Sequence, residues 1–208
     1  MSKLTTILLC LLVVLLTFQL SGFSKVNSTF IQNINHRYQC SDKTFQATKI
    51  GTAFPINEYL VLTAAHMYCE EGTESYYYQN NNWIKITPIK WNEEYDIMML
   101  HSSEKLTGPF AKIEKNAVLR GDSVLLFGFG IPQFTFDGVM TEGIVSAMSP
   151  RFLIFDATIY PGMSGSAILN KNNKVVGMVQ GYLTNQESPG LILNLALPND
   201  IIMWFIGR

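Results

Sequence analysis

Short apolar runs separated by polar turns dominate this chain and limit what it can fold into. Tyr59-Leu60-Val61-Leu62-Thr63, Asp96 to Leu100, Phe152 to Ala157, Ala167 to Leu169, Val175 to Gln180 and Leu191 to Leu197 are each short for a helix and rich in strand-forming residues. Ser123 to Gly130 reads as a buried strand broken by glycines, and Trp83 to Ile89 approximates half-buried alternation. Phe45 to Ile50, Gly51 to Ile56 and Phe134 to Ser146 supply further strands, whereas Glu70 to Asn82 reads as a tyrosine-rich surface loop with an exposed hairpin edge. Many short strands at regular spacing predict an all-β sandwich or barrel. Pro198-Asn199-Asp200 ahead of Ile201 to Ile206 predicts one short C-terminal helix. Ser102 to Leu119 carries Gly108-Pro109 and few apolar clusters, so it divides lobe one, about 30–105, from lobe two, about 118–208.

The length of 208 residues suits one domain or two small lobes. A formal net charge of −1, with no block of Lys or Arg, gives no electrostatic footprint for nucleic acid. Residues 1–24 stand apart. Lys3 is their only charge, Ile7 to Leu16 is unbroken apolar sequence, and Ser21-Gly22-Phe23-Ser24 offers the small residues a signal peptidase reads. This predicts a signal peptide cleaved near Ser24, or an uncleaved anchor tethering the chain through residues 4–20. Residues 25–208 then form the exported domain, secreted or periplasmic, or held at a membrane outside the cytoplasm. Export makes a Cys40–Cys69 disulfide around His66 feasible, against two free, partly buried thiols.

The stretch Tyr160-Pro161-Gly162-Met163-Ser164-Gly165-Ser166 is a tight loop leading into a strand. Glycine allows positive φ and close approach, so the amides of Gly162 and Ser164 can aim at one spot before the Ser164 hydroxyl. A serine needs a base to attack a carbonyl at neutral pH. His66, after Ala64-Ala65 at the end of an apolar strand, suits that base better than His36 or His101, which read as ordinary histidines. Asp96 heads an otherwise apolar strand, either as a solvated strand end or as a buried carboxylate fixing the imidazole tautomer.

Thr63-Ala64-Ala65-His66, Asp96-Ile97-Met98-Met99-Leu100 and Pro161 to Ser166 resemble the three signature blocks of the chymotrypsin-like, or trypsin-like, serine peptidases, in the same chain order. Asp156 to Gly165, Gly143 to Ala147 and Gly190 to Pro198 look closest to the bacterial HtrA-type branch, here without a PDZ domain. The resemblance covers about residues 45–207. It implies two antiparallel six-stranded β-barrels, with the cleft between them holding Ser164 as nucleophile, His66 as base and Asp96 as orienter. It also implies an oxyanion hole at the Gly162 and Ser164 amides, protein or peptide substrates, and no cofactor or metal. Thr158, six residues before Ser164, would floor the primary pocket, with Gln180, Gly181, Tyr182 and Gly190 as its wall. A neutral Thr158 argues against a preference for Arg or Lys and leaves a modest pocket for small or aliphatic side chains.

Two departures stand out. Met163 replaces the Asp or Asn usual before the nucleophile, and no Ile-Val-Gly-Gly segment supplies an activating amine. Two other readings remain: a catalytically silent binding protein on the same fold, with Met163 collapsing the oxyanion loop, and a membrane-anchored all-β interaction module.

Overall fold

The computed structural model describes residues 28–130, 138–185 and 188–207. Residues 1–24, read as a leader or anchor, lie outside them. The described residues begin with a helix, α1 (Ser28–Ile34), followed by strands β1 (His36–Ser41), β2 (Ala47–Pro55), β3 (Leu60–Thr63), β4 (Glu74–Gln79), β5 (Asn82–Asn92) and β6 (Ile97–Ser102). Strands β7 (Ser123–Gly128), β8 (Val139–Met148), β9 (Leu153–Phe155), β10 (Ala167–Leu169), β11 (Val175–Asn185) and β12 (Ser188–Pro198) follow, and α2 (Asn199–Ile206) closes the chain.

The strands close into two antiparallel barrels, ordered β1-β2-β3-β6-β5-β4 and β7-β8-β9-β12-β11-β10. The second order is the first shifted by six strands, so one topology is used twice although no repeat is visible in the sequence. Closure removes free strand edges, which a short-stranded sheet would otherwise expose.

Three apolar clusters account for the sequence pattern. Tyr38, Val61, Tyr77, Met98 and Leu100 fill the first barrel; Leu126, Val145, Phe155, Ile168 and Val179 fill the second. A third cluster lies between the barrels, where Phe54, Leu62, Ile97 and Met99 meet Leu125, Met178 and Leu197. α1 and α2 add Ile31, Ile34, Ile202 and Phe205 to this layer. β3 and β6 therefore bury both faces, Val61 and Met98 inward and Leu62 and Met99 toward the other barrel. That is why they read as continuous apolar runs rather than alternating ones.

Two strand expectations change. Phe45–Ile50 and Gly51–Ile56 are not two strands: one strand, β2, runs through Gly51 from Ala47 to Pro55. Glu70–Asn82 is not a surface loop, because β4 occupies it between β1 and β5. Tyr77, fully buried, points its ring into the barrel while Glu74 faces solvent. Tyrosines at alternate positions serve both faces of such a strand, which composition alone obscures. Of the strand expected from Phe134 to Ser146, residues 134–137 lie outside the described residues, and the rest is β8, which runs on to Met148. The C-terminal helix stands as expected and ends at Gly207, whose φ of +76° gives the left-handed cap that glycine accepts readily.

Candidate active site

The first barrel supplies a histidine and a carboxylate. β3 ends at Thr63, and a 3₁₀ turn over Ala65–Met67 carries His66. Ala65 and Met67 are buried, so the middle residue of the turn is turned outward, with 46% of its side chain exposed. His66 therefore sits just beyond the strand rather than ending it. Behind it, Tyr38 donates its hydroxyl to Met67 O at 2.9 Å, and a Cys40–Cys69 disulfide ties β1 to the segment after the turn.

Asp96 precedes β6 in a turn closed by its own N–H to Glu93 O at 3.2 Å. Its φ is +48°, a left-handed conformation that costs a non-glycine residue on the order of 1 kcal/mol. Two bonds hold it there. Oδ1 accepts from the His66 backbone N–H and Oδ2 from His66 Nδ1, both at 2.8 Å. A carboxylate only accepts, so Nδ1 carries a proton, and in the neutral ring the lone pair is then on Nε2. The Asp96 side chain is 25% exposed, between the solvated strand end and the buried carboxylate that its sequence position allows: it lies in the turn, before the buried residues of β6 begin.

The second barrel supplies Ser164 from the loop between β9 and β10. Met163 N–H bonds Tyr160 O at 3.0 Å and Ser166 N–H bonds Met163 O at 3.0 Å, making two consecutive tight turns. Gly162 has φ +99°, and a Cβ there would stand 2.5 Å from Phe129 O. Gly165, at φ +84°, leaves no room for a Cβ beside Thr52 O and the Thr63 hydroxyl. Both positions require glycine. Thr52, from β2, stitches the loop to the first barrel: its N–H bonds Ser164 O at 2.9 Å and its hydroxyl donates to Gly162 O at 2.9 Å.

Met163, fully buried, packs in the second barrel's cluster beside Ile159 and Tyr160. An apolar side chain thus anchors the loop from below. The N–H groups of Gly162 and Ser164 have no hydrogen-bond partner among the described residues. The half-buried Ser164 hydroxyl donates to Gln180 O at 3.2 Å, and no hydrogen bond joins it to His66.

Gln180, on β11, does more than line a wall. Its Nε2 donates to Tyr95 O at 2.8 Å, one residue before Asp96. Arg151 Nη2 donates to Glu94 O at 2.9 Å, and Trp204 meets the Tyr95 ring edge-on at 5.6 Å. Side chains of the second barrel and α2 thus clamp the turn that carries Asp96. Sequence reasoning missed Tyr95, Arg151 and Trp204, because none belongs to a motif and they meet only through the fold.

The remaining pocket residues are dispersed. Thr158 is exposed after β9, Gly181 borders open space, and Tyr182 is 53% exposed. Gly190 does not join them. Gly181 pairs with Leu195, whereas Gly190 lies five residues further along β12, roughly 16 Å at strand spacing, near the end of the hairpin. The long pairing of β11 with β12 draws it out. Among the described residues no cluster of His, Cys, Asp and Glu could hold a metal ion.

A double barrel whose cleft brings a carboxylate-held histidine and a glycine-flanked serine together defines the class of trypsin-like serine peptidases. The model of the trypsin-like peptidase domain matches residues 51–178, well over half of the chain. The chain belongs to that family and is a serine endopeptidase by class. Among solved structures it is similar to the serine endoprotease from Yersinia pestis, with a TM-score of 0.71 and 19% identity over 88% of this chain and 67% of that one. At that identity the likeness speaks for the fold.

Proposed function

We propose that the protein is an exported serine endopeptidase that cleaves protein substrates through an acyl-enzyme, with Ser164 as nucleophile, His66 as base and acid, and Asp96 as orienter. The observation that carries this reading is the double grip of Asp96 on His66, which in the neutral ring fixes the proton on Nδ1 and leaves Nε2 as the acceptor. On substrate binding the Ser164 hydroxyl leaves Gln180 O and turns to His66 Nε2. As Oγ bonds to the scissile carbonyl carbon, its proton passes to Nε2 and the carbonyl π electrons move onto oxygen. That oxyanion meets the two unspent amides of Gly162 and Ser164, aimed where charge develops. The C–N bond then breaks, the amine leaves with the proton from Nε2, and the acyl group stays on Oγ. Water repeats the sequence, returning the acid and the free hydroxyl. Asp96 stabilises the imidazolium formed in each half.

Thr158, Gln180, Gly181 and Tyr182 contribute no charge beside this site, which supports small or aliphatic residues before the scissile bond rather than Arg or Lys. Export rests on the apolar segment Ile7 to Leu16. The test pairs a fluorophosphonate probe with casein cleavage on the wild type and Ser164→Ala. Labelling of the wild type alone is expected, with turnover falling by roughly 10⁴ to 10⁶ in the variant. Equal labelling of both proteins refutes the nucleophile. A folded wild type with neither labelling nor cleavage favours the silent binding protein instead.

A further inference from the structure

Behind the cleft, between β1, the β4–β5 turn and the end of β7, lies a cavity of about 650 Å³. That volume falls in the range of small-ligand sites. Its aromatic walls are Trp83, Phe127 and Phe129, and no Asp or Glu is among the described residues lining it. Most of its polar groups are already engaged. The two ring nitrogens of His36 face Tyr78 O at 3.1 Å and Asn33 O at 2.9 Å. Gln79 donates to Thr107 O at 2.8 Å and accepts from Thr107 N–H at 2.9 Å.

Arg37 is the exception. Its guanidinium carbon sits 5.8 Å from the Trp83 ring centroid, it has no ion pair among the described residues, and its Nε is buried without a partner. Burial lowers its pKa, against an opposing coulombic pull from Tyr78. A buried donor left unmade is costly, and charged ones more so.

We propose that this cavity is a binding site for a carboxylate carrying an aromatic or apolar group, with the Arg37 fork on the carboxylate and the apolar part against Phe127 and Phe129. Arg37 Nε has no exposed surface, so the edge a ligand meets is the pair of terminal nitrogens, which matches the two oxygens of a carboxylate. One cation without a surrounding nest of N–H donors suits a single negative charge better than phosphate. The ligand is a free aryl acid or the C-terminal carboxylate of a peptide. The site is independent of the catalytic proposal, yet it shares a wall with the oxyanion loop. Phe129 N–H bonds Thr52 Oγ1 at 3.0 Å, and that hydroxyl in turn donates to Gly162 O.

The test follows the Arg37 Nε–H resonance of the full chain by NMR during titration with 3-phenylpropionate and, separately, with its neutral amide. A saturable shift with the acid alone is expected. Arg37→Gln should weaken binding about 10- to 100-fold, and Arg37→Lys, which keeps the charge but loses the fork, should fall between. A tripeptide ending in Phe, compared with its C-terminal amide, separates the two sources: binding by the tripeptide acid assigns the peptide terminus, and binding by phenylpropionate alone assigns a small acid. Equal shifts with acid and amide, no shift with either acid, or a stronger response to inorganic phosphate overturns the proposal. If Arg37→Gln does not fold, the wild-type titrations and Arg37→Lys still decide it.

Discussion

In the first barrel, both oxygens of Asp96 are occupied by His66, and a disulfide and a tyrosine hydroxyl fix the segment behind the ring. In the second, the amides of Gly162 and Ser164 have no partner among the described residues, and the Ser164 hydroxyl rests on the Gln180 carbonyl of β11. One half of the site is finished by internal bonds, and the other keeps its donors unspent. The difference follows from chemistry. An orienting pair works by staying in one tautomer and one place, whereas an oxyanion hole works only if its donors have no partner before charge develops. The halves are joined by Thr52 on the loop and by Gln180, Arg151 and Trp204 on the Asp96 turn.

The largest expected effect breaks the first half alone. Asp96→Asn keeps the shape but offers an amide in place of one carboxylate oxygen, which favours the wrong His66 tautomer. In the proposed mechanism kcat should fall by about 10⁴. The melting temperature should change little by comparison, because Asp96 is partly exposed. A loss under tenfold in steady-state kinetics would mean that the bonded half is structural.

The second half should break through its backbone. Gly162→Ala places a methyl group against Phe129 O at a φ that alanine avoids, so the loop must shift and its free amides turn away. A loss of about 10² to 10³ in kcat is expected, the size of one oxyanion donor. KM should change less, because the donors act on the transition state. Unchanged kcat would show that the Gly162 amide is not used.

Much of this architecture was legible from short runs. β3, β6 and β7 were visible because residues buried on both faces leave unbroken apolar stretches, whereas in β12 Leu191 and Ile192 prolong the run although they are exposed. His66, Asp96 and Ser164 were visible because small or apolar neighbours isolate each of them. β4 was hidden, since Tyr76, Tyr77 and Tyr78 look alike in sequence while only Tyr77 is fully buried. The third apolar layer was also hidden, because no local pattern distinguishes Leu62, facing the other barrel, from Val61, facing inward. Gln180 was placed on the pocket wall. Its bond to Tyr95 O depends on the packing of one barrel against the other, and sequence spacing carries no record of that.

A smaller effect contrasts the barrels in their response to acid. All three histidines, His36, His66 and His101, lie in the first barrel's part of the chain. Burial holds the pKa of His36 below its ordinary value of 6.5, against the opposing pull of the Asn33 and Tyr78 carbonyls. The unfolded chain therefore takes up the proton first as pH falls. His36 contributes stability that is fully present above 6.5 and is lost as pH falls from there through the lower folded value, below which the slope vanishes. Cys40–Cys69 and the closed barrel keep the ring in place over that window, so the loss should be gradual. His36→Gln should flatten the pH dependence of the unfolding free energy below 6.5, measured by chemical denaturation, while leaving stability at pH 8 within about 1 kcal/mol of wild type. If the variant keeps the wild-type slope, the acid sensitivity resides elsewhere and the contrast between the barrels does not extend to pH.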